Sequence, residues 1–501
     1  MSVTKPRAKP LQGRVLARNA TWNFIGMATP MAVAIFAVPY LIERMGTERF
    51  GLLAIIWMGV GYFSLFDMGL GRALTKLVAE RLERQRDREL GEIIWTALWL
   101  VLALGIGGML LGFLLSEPFI VHLLSVPPEL QVEGLKSFRI LAAGIPVVVI
   151  TSTLVGLLEA HQRFPAIAAV RIPLGVMTFL GPVLTVQLTP SLVEATAVLI
   201  AARMLAFMVY WRLAAHVSPS LKRPTGIAPS HLKSLLHFGG WLTVTNITGP
   251  LMVYFDRFFV GAFVSLTSVA YYVTPFDVLS RMQILPQAIM GVLFPAFSST
   301  IANNRARLPG LYERANRVVV ALMLPIMSGL FLFAPELLRI WLGEEFRIAA
   351  TSVVHWLTLG LMINALAYTP FTVLQGSGRP DLVAKAHAAE LLPYAAVLCV
   401  LTAQLGIAGT AMAWFLRALV DAIILSALVR RHLPDLGRAV RCTYLIGIGV
   451  LGIFFVSWLF DAWVLKVLLF VSIATTSAVF LLGSARRVRK EVAMRAVEPA
   501  K

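Results

Sequence analysis

Two arginines lie inside runs that should be hydrocarbon. In "VEATAVLIAARMLAFMVYWRLAA", Arg203 sits in an apolar stretch long enough to cross a bilayer, and Arg171 interrupts "IAAVRIPLGV". A charge at the bilayer centre costs roughly 3 kcal/mol or more, so it is normally met by a partner or by a wet cavity. Neither arginine has a carboxylate within one helical turn: Leu199, Ile200, Ala206 and Phe207 flank Arg203, and Ile167, Ala168, Leu174 and Gly175 flank Arg171. A guanidinium stays protonated and presents its donors in a planar fork, a geometry suited to phosphate oxygens. Two readings follow. The pair forms a cationic wall on a cavity, or each meets an acid or helix carbonyls on a neighbouring span, with Arg171 near enough to an interface to snorkel.

Further along, Asp277 and Arg281 in "FDVLSRMQ", and Arg417 and Asp421 in "LRALVDAI", are four residues apart and share a helix face. Each pair can neutralise itself. Arg281 and Arg417 are therefore either ligand contacts tuned by Asp277 and Asp421, or structural pairs. The acids could instead respond to protons or sodium ions; no cofactor and no metal is expected. Asp67, Arg72 and Lys76 in "FDMGLGRALTK" form either a gate or a packed helix end with snorkelling basic groups. Asp256 and Arg257 are adjacent and cannot face one another, so each is expected to pair with another helix. Lys385 and Glu390 in "AKAHAAELLP" are weaker candidates, since Lys385 starts near an interface.

The elements that must hold these groups follow from composition. With 58% hydrophobic and 14% charged residues among 501, and a mean hydropathy of +0.79, apolar runs of about 20 residues follow one another almost without linkers. That is an all-α polytopic membrane protein. Spans are predicted at residues 17–42, 50–78, 92–115, 135–159, 165–188, 192–214, 234–262, 267–298, 316–335, 350–375, 381–403, 407–429, 442–461 and 464–485, about fourteen transmembrane helices in all. An even count puts both termini and the loops "ERLERQRDREL", "SLKRPTG", "NNRARLPGLYERANR" and "RRHLPDLGRAVR" on one side. That side holds roughly 30 Lys and Arg against roughly five opposite, which makes it cytoplasmic.

The same distribution argues against nucleic acid as a partner. The net charge of +18 falls in bursts between spans rather than on one face, so it reads as a topology signal. Cys399 and Cys442 lie in or beside spans and imply neither a disulfide framework nor a metal cluster. The amino-terminal "MSVTKPRAKPLQGRVLAR" precedes a run of span length with no small-x-small cleavage signal, and is read as leading into a retained first span. The longest outer loop, "SEPFIVHLLSVPPELQVEG", offers Glu117, His122, Glu129 and Glu133 without a paired-acid motif, which argues against an enzyme.

The chain also repeats. Trp22 lies 28 residues before Phe50 of "RFGLLAI", and Trp241 lies the same distance before Val269 of "VAYYVTP". "LEAHQRFP" joins spans four and five as "LQGSGRP" joins ten and eleven; the sixth span echoes the twelfth, which makes Arg417 the counterpart of Arg203. Six spans are an even number, so the copies are parallel, related by an axis along the membrane normal. The domain reading is a tail at 1–16, an N-lobe of six helices at 17–220, a linker at 221–233, a C-lobe of six at 234–432, helices thirteen and fourteen at 433–485 and a tail at 486–501.

The opening 85 residues carry a resemblance. The "NATWN" amide and tryptophan, the "RMGTERFG" turn and "DMGLGRALTK", with "DRFFVG" and "VAYY" in the second half, resemble the oligosaccharide flippases, or polysaccharide biosynthesis proteins, of the multidrug/oligosaccharidyl-lipid/polysaccharide exporter superfamily. The resemblance implies two six-helix lobes around a central cavity in the bacterial inner membrane. It implies alternating access that moves polyisoprenyl-pyrophosphate-linked oligosaccharide to the outer leaflet, for O-antigen, capsule or exopolysaccharide, alongside a polymerase and glycosyltransferases of the pathway. Arg203, Arg171, Arg281 and Arg417 would then face pyrophosphate. Related families carry peptidoglycan precursor or expel cationic drugs, and a cation-coupled exporter is the competing expectation.

Overall fold

The computed structural model describes residues 13–63, 69–83, 90–124, 126–229, 232, 255–458 and 462–497, and every regular element among them is helical. Ten helical stretches among the described residues are long and apolar enough to cross a bilayer. The chain divides into two compact units, Met1–Pro250 and Leu251–Lys501.

In the first unit α1 (Gly13–Met45) and α2 (Thr47–Tyr62) meet at Gly46, whose φ of 83° lies where only glycine goes freely. The single span expected at 50–78 is two helices, α2 and α3 (Leu70–Glu83), with Gly69 at φ 70° just before α3. A left-handed residue cannot continue a right-handed helix, so an apolar run that reads as continuous breaks there. Next come α4 (Leu90–Glu117), which runs on into a π turn at Pro118–Leu123, and α5 (Pro128–Ala143) and α6 (Ile145–Ala160) on either side of Gly144. The fourth span starts earlier than the expected residue 135. Pro128 needs no N–H partner in a first turn, and Glu129 suits a positive helix end. Finally, α7 (Phe164–Val186) and α8 (Leu192–Val217) complete the unit's spans.

The other helices gather on α6, which meets α3, α4 and α8. Small residues permit the approach. A Cβ on Gly156 would stand 2.5 Å from the Gly71 carbonyl oxygen, and one on Gly105 would stand 2.8 Å from Pro146 Cα. The Thr75 hydroxyl bridges that α3–α6 crossing, 3.0 Å from the Gly71 oxygen and 2.9 Å from the Gly156 oxygen. At one end of the unit Glu133 ties three helices together: Arg49 Nε donates to its Oε2 at 3.0 Å, and the Leu192 N–H at the start of α8 donates to its Oε1 at 2.6 Å. On α4, Trp95 and Trp99 donate from Nε1 to the carbonyls of Ser220 and Thr225, at 3.3 and 3.0 Å, and so hold the chain after α8 against α4.

The second unit begins with helical residues 255–263, here α9, and then α10 (Leu266–Ser280), a 3-10 turn at Arg281–Gln283 and α11 (Ile284–Asn303). It continues with α12 (Leu308–Leu332), the short amphipathic α13 (Ala334–Leu342), α14 (Glu344–Gly376), α15 (Pro380–His432), α16 (Gly437–Trp458) and α17 (Trp463–Val497). Within α15, Gly406 at φ 60° and ψ −142° is non-helical and divides the stretch into two limbs, which separate spans eleven and twelve as the sequence reading does. Among the described spans α14 is the central one. Of its most apolar window 83% is buried, against at most 50% in any other, and it packs on α10, α11, α12, α13 and α15. Gly360 lets it approach α15: a Cβ there would meet the Trp414 ring at 2.6 Å.

Candidate functional site

Arg203 lies eleven residues from the start of α8 and fourteen from its end, so about 16 Å and 21 Å of helix separate it from either side. Its Nη1 donates to the Leu199 carbonyl at 2.9 Å, one turn back on the same helix. Of the five N–H groups of a guanidinium, that uses one. Arg171 is exposed on the neighbouring α7, within electrostatic reach of Tyr210 of α8, whose hydroxyl donates to the Ile167 carbonyl at 3.2 Å. Among the described residues neither arginine has a carboxylate partner.

Every candidate arginine of the second unit is arranged differently from the expectation. Asp277 and Arg281 do not form the expected pair. The Asp277 carboxylate is taken by Arg257 of α9, which is buried to 4% side-chain exposure, while Arg281 falls beyond the end of α10 in the 3-10 turn and is exposed. Arg417 and Asp421 do not pair either. The Arg417 guanidinium lies over two rings, 5.3 Å from Trp414 and 5.7 Å from Tyr394, and Asp421 turns to the other limb, where its Oδ1 is 3.2 Å from His387 Nε2. Equal helix faces permit a pair; a buried guanidinium on another helix displaced it at Asp277, and a histidine on the other limb of α15 displaced it at Asp421. Asp256, expected to pair between helices, accepts from the Tyr272 hydroxyl of α10 and from the Arg257 backbone N–H, and lies within reach of Arg417.

Asp67 lies outside the described residues. Lys76 stands 3.9 Å from Glu80, and Arg72 is exposed on α3. Lys385 pairs with Asp381 at 3.6 Å at the exposed start of α15, which leaves Glu390 to other neighbours. Residues that charge alone did not single out complete the second unit's cluster: Tyr272, His387, Tyr394 and Trp414. Spacing was the signal that would have found them. Tyr394 and Glu390 share a buried stripe on one limb of α15, and Trp414 and Asp421 share one on the other. No group of three or more His, Cys, Asp or Glu side chains among the described residues is arranged to hold a metal ion.

Known proteins share this organisation. Residues 45–351 match the family described as polysaccharide biosynthesis protein. The chain is 31% identical over 423 residues to a putative O-antigen transporter of Shigella flexneri, covering 83% of this chain and 98% of that protein. It is 23% identical over 415 residues to a probable low-salt glycan biosynthesis flippase of Haloferax volcanii, covering 82% of each. Among solved structures, the lipid II flippase MurJ in an inward closed conformation superposes with a TM-score of 0.68 at 15% identity, covering 93% of this chain and 99% of that one, which shows a shared fold.

Proposed function

We propose, for a chain that belongs to the polysaccharide biosynthesis protein family, that it flips polyisoprenyl-pyrophosphate-linked oligosaccharide repeat units across the bacterial inner membrane by alternating access. The observation that carries this reading is Arg203: a guanidinium at mid-membrane depth, with no acid beside it and most of its donors uncommitted. Such a group suits pyrophosphate, whose oxygens accept charge-assisted, forked hydrogen bonds. Arg171 extends the cationic wall along α7, and the exposed Arg281 adds a third contact. Arg417 acts at one remove, through the rings and acids that hold it. The prenyl tail stays in lipid while sugars and pyrophosphate pass a polar cavity of a fourteen-helix bundle built as two six-helix lobes and two further helices.

In this reading both termini and the basic loops are cytoplasmic, following the Lys and Arg bias. The carrier performs no bond chemistry; glycosyltransferases supply its substrate and a polymerase consumes it. A coupling ion, proton or sodium, would act through the acids, with Asp256, Asp277, Asp421 and Asp67 as the candidates. Replacing Arg203 in a strain whose polymer export depends on the chain tests the role. Arg203→Ala is expected to stop export and Arg203→Lys to restore part of it; full export by Arg203→Ala would remove pyrophosphate binding from this residue.

One observation favours a second reading. Asp256, Glu390 and Asp421, with Tyr394 and Trp414, give the second unit the acids and aromatic faces that a cationic drug would need. A cation-coupled exporter would show lost dye efflux in a deletion strain with polymer export intact. The flippase reading expects the reverse, and a peptidoglycan-precursor flippase would instead show arrested wall synthesis.

A further inference from the structure

Glu390 has no part in the flippase reading above. Along the first limb of α15 the buried stripe is Val383, Ala386, Glu390, Tyr394, Leu398 and Thr402, and Glu390 is its one charged member. The residue is 6% exposed, both carboxyl oxygens are buried, and among the described residues neither has a hydrogen-bond partner. Asp421, 5% exposed on the second limb, acts on it electrostatically, as do His387 and Arg417. His387 lies one turn before Glu390, stacked on Phe371 of α14, with Nε2 3.2 Å from Asp421 Oδ1. From the other elements packed here, Tyr368 of α14 faces Asp421 as well as Arg417; Asp256 of α9 and Tyr272 of α10 face Tyr394; Tyr444 of α16 donates to the Ile423 carbonyl.

A carboxylate buried without a hydrogen bond costs several kcal/mol, and a second carboxyl group close by raises that cost; one proton relieves both. Arg417 does not relieve it alone, because its guanidinium is shared with Asp256 and held over Tyr394 and Trp414. We propose that Glu390, Asp421 and His387 form a proton-binding site: Glu390 carries the proton, Asp421 is the neighbouring acceptor, and His387 is the relay to water. His387 is the accessible member, its side chain 31% exposed, while Asp421 and Glu390 are both buried, at 5% and 6% exposure. His387 is seven residues into α15, at its cytoplasmic end in the orientation proposed above. The step is proton transfer alone, between water at His387 and the Glu390–Asp421 carboxyl pair and back, with no electron moved. Loading and release accompany transport, a clause that rests on the flippase reading; the location of the proton does not.

Infrared difference spectroscopy on the purified full chain reads protonated carboxyl groups from a C=O band that shifts in D2O. Glu390→Gln is expected to remove one such band at neutral pH, and Asp421→Asn only to move it. In the export-dependent strain, at equal membrane abundance, Glu390→Gln is expected to lower export about tenfold or more, with Glu390→Asp keeping part of it. A band unchanged in Glu390→Gln overturns the site, as does a band that vanishes when sodium chloride replaces choline chloride at constant pH. Wild-type export by Glu390→Gln overturns its part in transport. If the wild-type chain supports no polymer export while the band behaves as expected, the flippase reading fails and the proton site stands.

Discussion

The two units carry the charges of their spans in opposite ways. In the first, Arg171 and Arg203 sit on packed neighbouring helices with no carboxylate beside either among the described residues, and the ion pair of Arg49 with Glu133 lies at the end of α2. In the second, Arg257 is closed by Asp277, Arg417 is held between two rings, and Asp256, Glu390 and Asp421 supply more acid than the two guanidinium groups balance. A cation whose donors are uncommitted is available to an anion from outside. One that is paired or stacked holds helices together, and surplus acid around it invites a proton. In the function proposed above, two halves with a repeated span pattern divide the work: one is fitted to the cargo and the other to what drives or times its movement.

That division can be broken most directly at Asp277. Asp277→Asn removes the carboxylate from a guanidinium of 4% exposure and should cost about 3–5 kcal/mol, read as a lower thermal midpoint of the purified protein. Arg257→Met should cost more, because Asp277 keeps 47% side-chain exposure and can be rehydrated but the fully buried Asp256 loses the guanidinium that acts on it. A smaller cost would mean that Asp256 does not depend on this guanidinium. At Arg203 the effect should be functional instead. Arg203→Ala should lower export about 10- to 100-fold, the worth of one or two charge-assisted hydrogen bonds, with the thermal midpoint unmoved. Arg417→Ala should show the converse balance, losing about 2 kcal/mol of stability from the two cation–π contacts. A variant of Arg417 that melts normally and exports nothing would make the two arginines equivalents after all. The smallest effect belongs to Asp381→Asn, whose pairs with Arg379 and Lys385 are exposed; about 0–1 kcal/mol is expected in the same melting assay.

The rhythm of spans was legible because a bilayer imposes one length on every crossing, and apolar runs report it directly. The break at Gly69 was not, since a positive φ leaves no mark on hydropathy, whereas the one at Gly46 falls in the expected "RMGTERFG" turn between the first two spans. The amphipathic α13 was read partly as span and partly as loop, because nine residues are too few to carry a periodic signal. At the candidate site, Arg203 and Arg171 could be singled out because the absence of a local acid is a sequence fact. Partner exchange at Asp277 and Asp421 could not, for spacing of four residues shows a shared face and says nothing of what the next helix brings to it. Glu390 was discounted for its neighbour Lys385, yet the two are five apart, and Lys385 turns to Asp381. Weighing the apolar stripe above the nearest opposite charge would have ranked it correctly.

The turn at Gly406 bears on how the chain gets into the membrane at all. Its two limbs are joined so tightly that they amount to a single hairpin, and residues 391–416, from just past Glu390 to just before Arg417, carry no charged side chain. The tip can therefore be pushed through hydrocarbon without dragging a formal charge across. Glu390 and Arg417 follow on opposite limbs, already facing the neighbours that will neutralise them. Assembly of the acid cluster is thus built into biogenesis: the hairpin that crosses as a pair delivers both halves of the site in one insertion event.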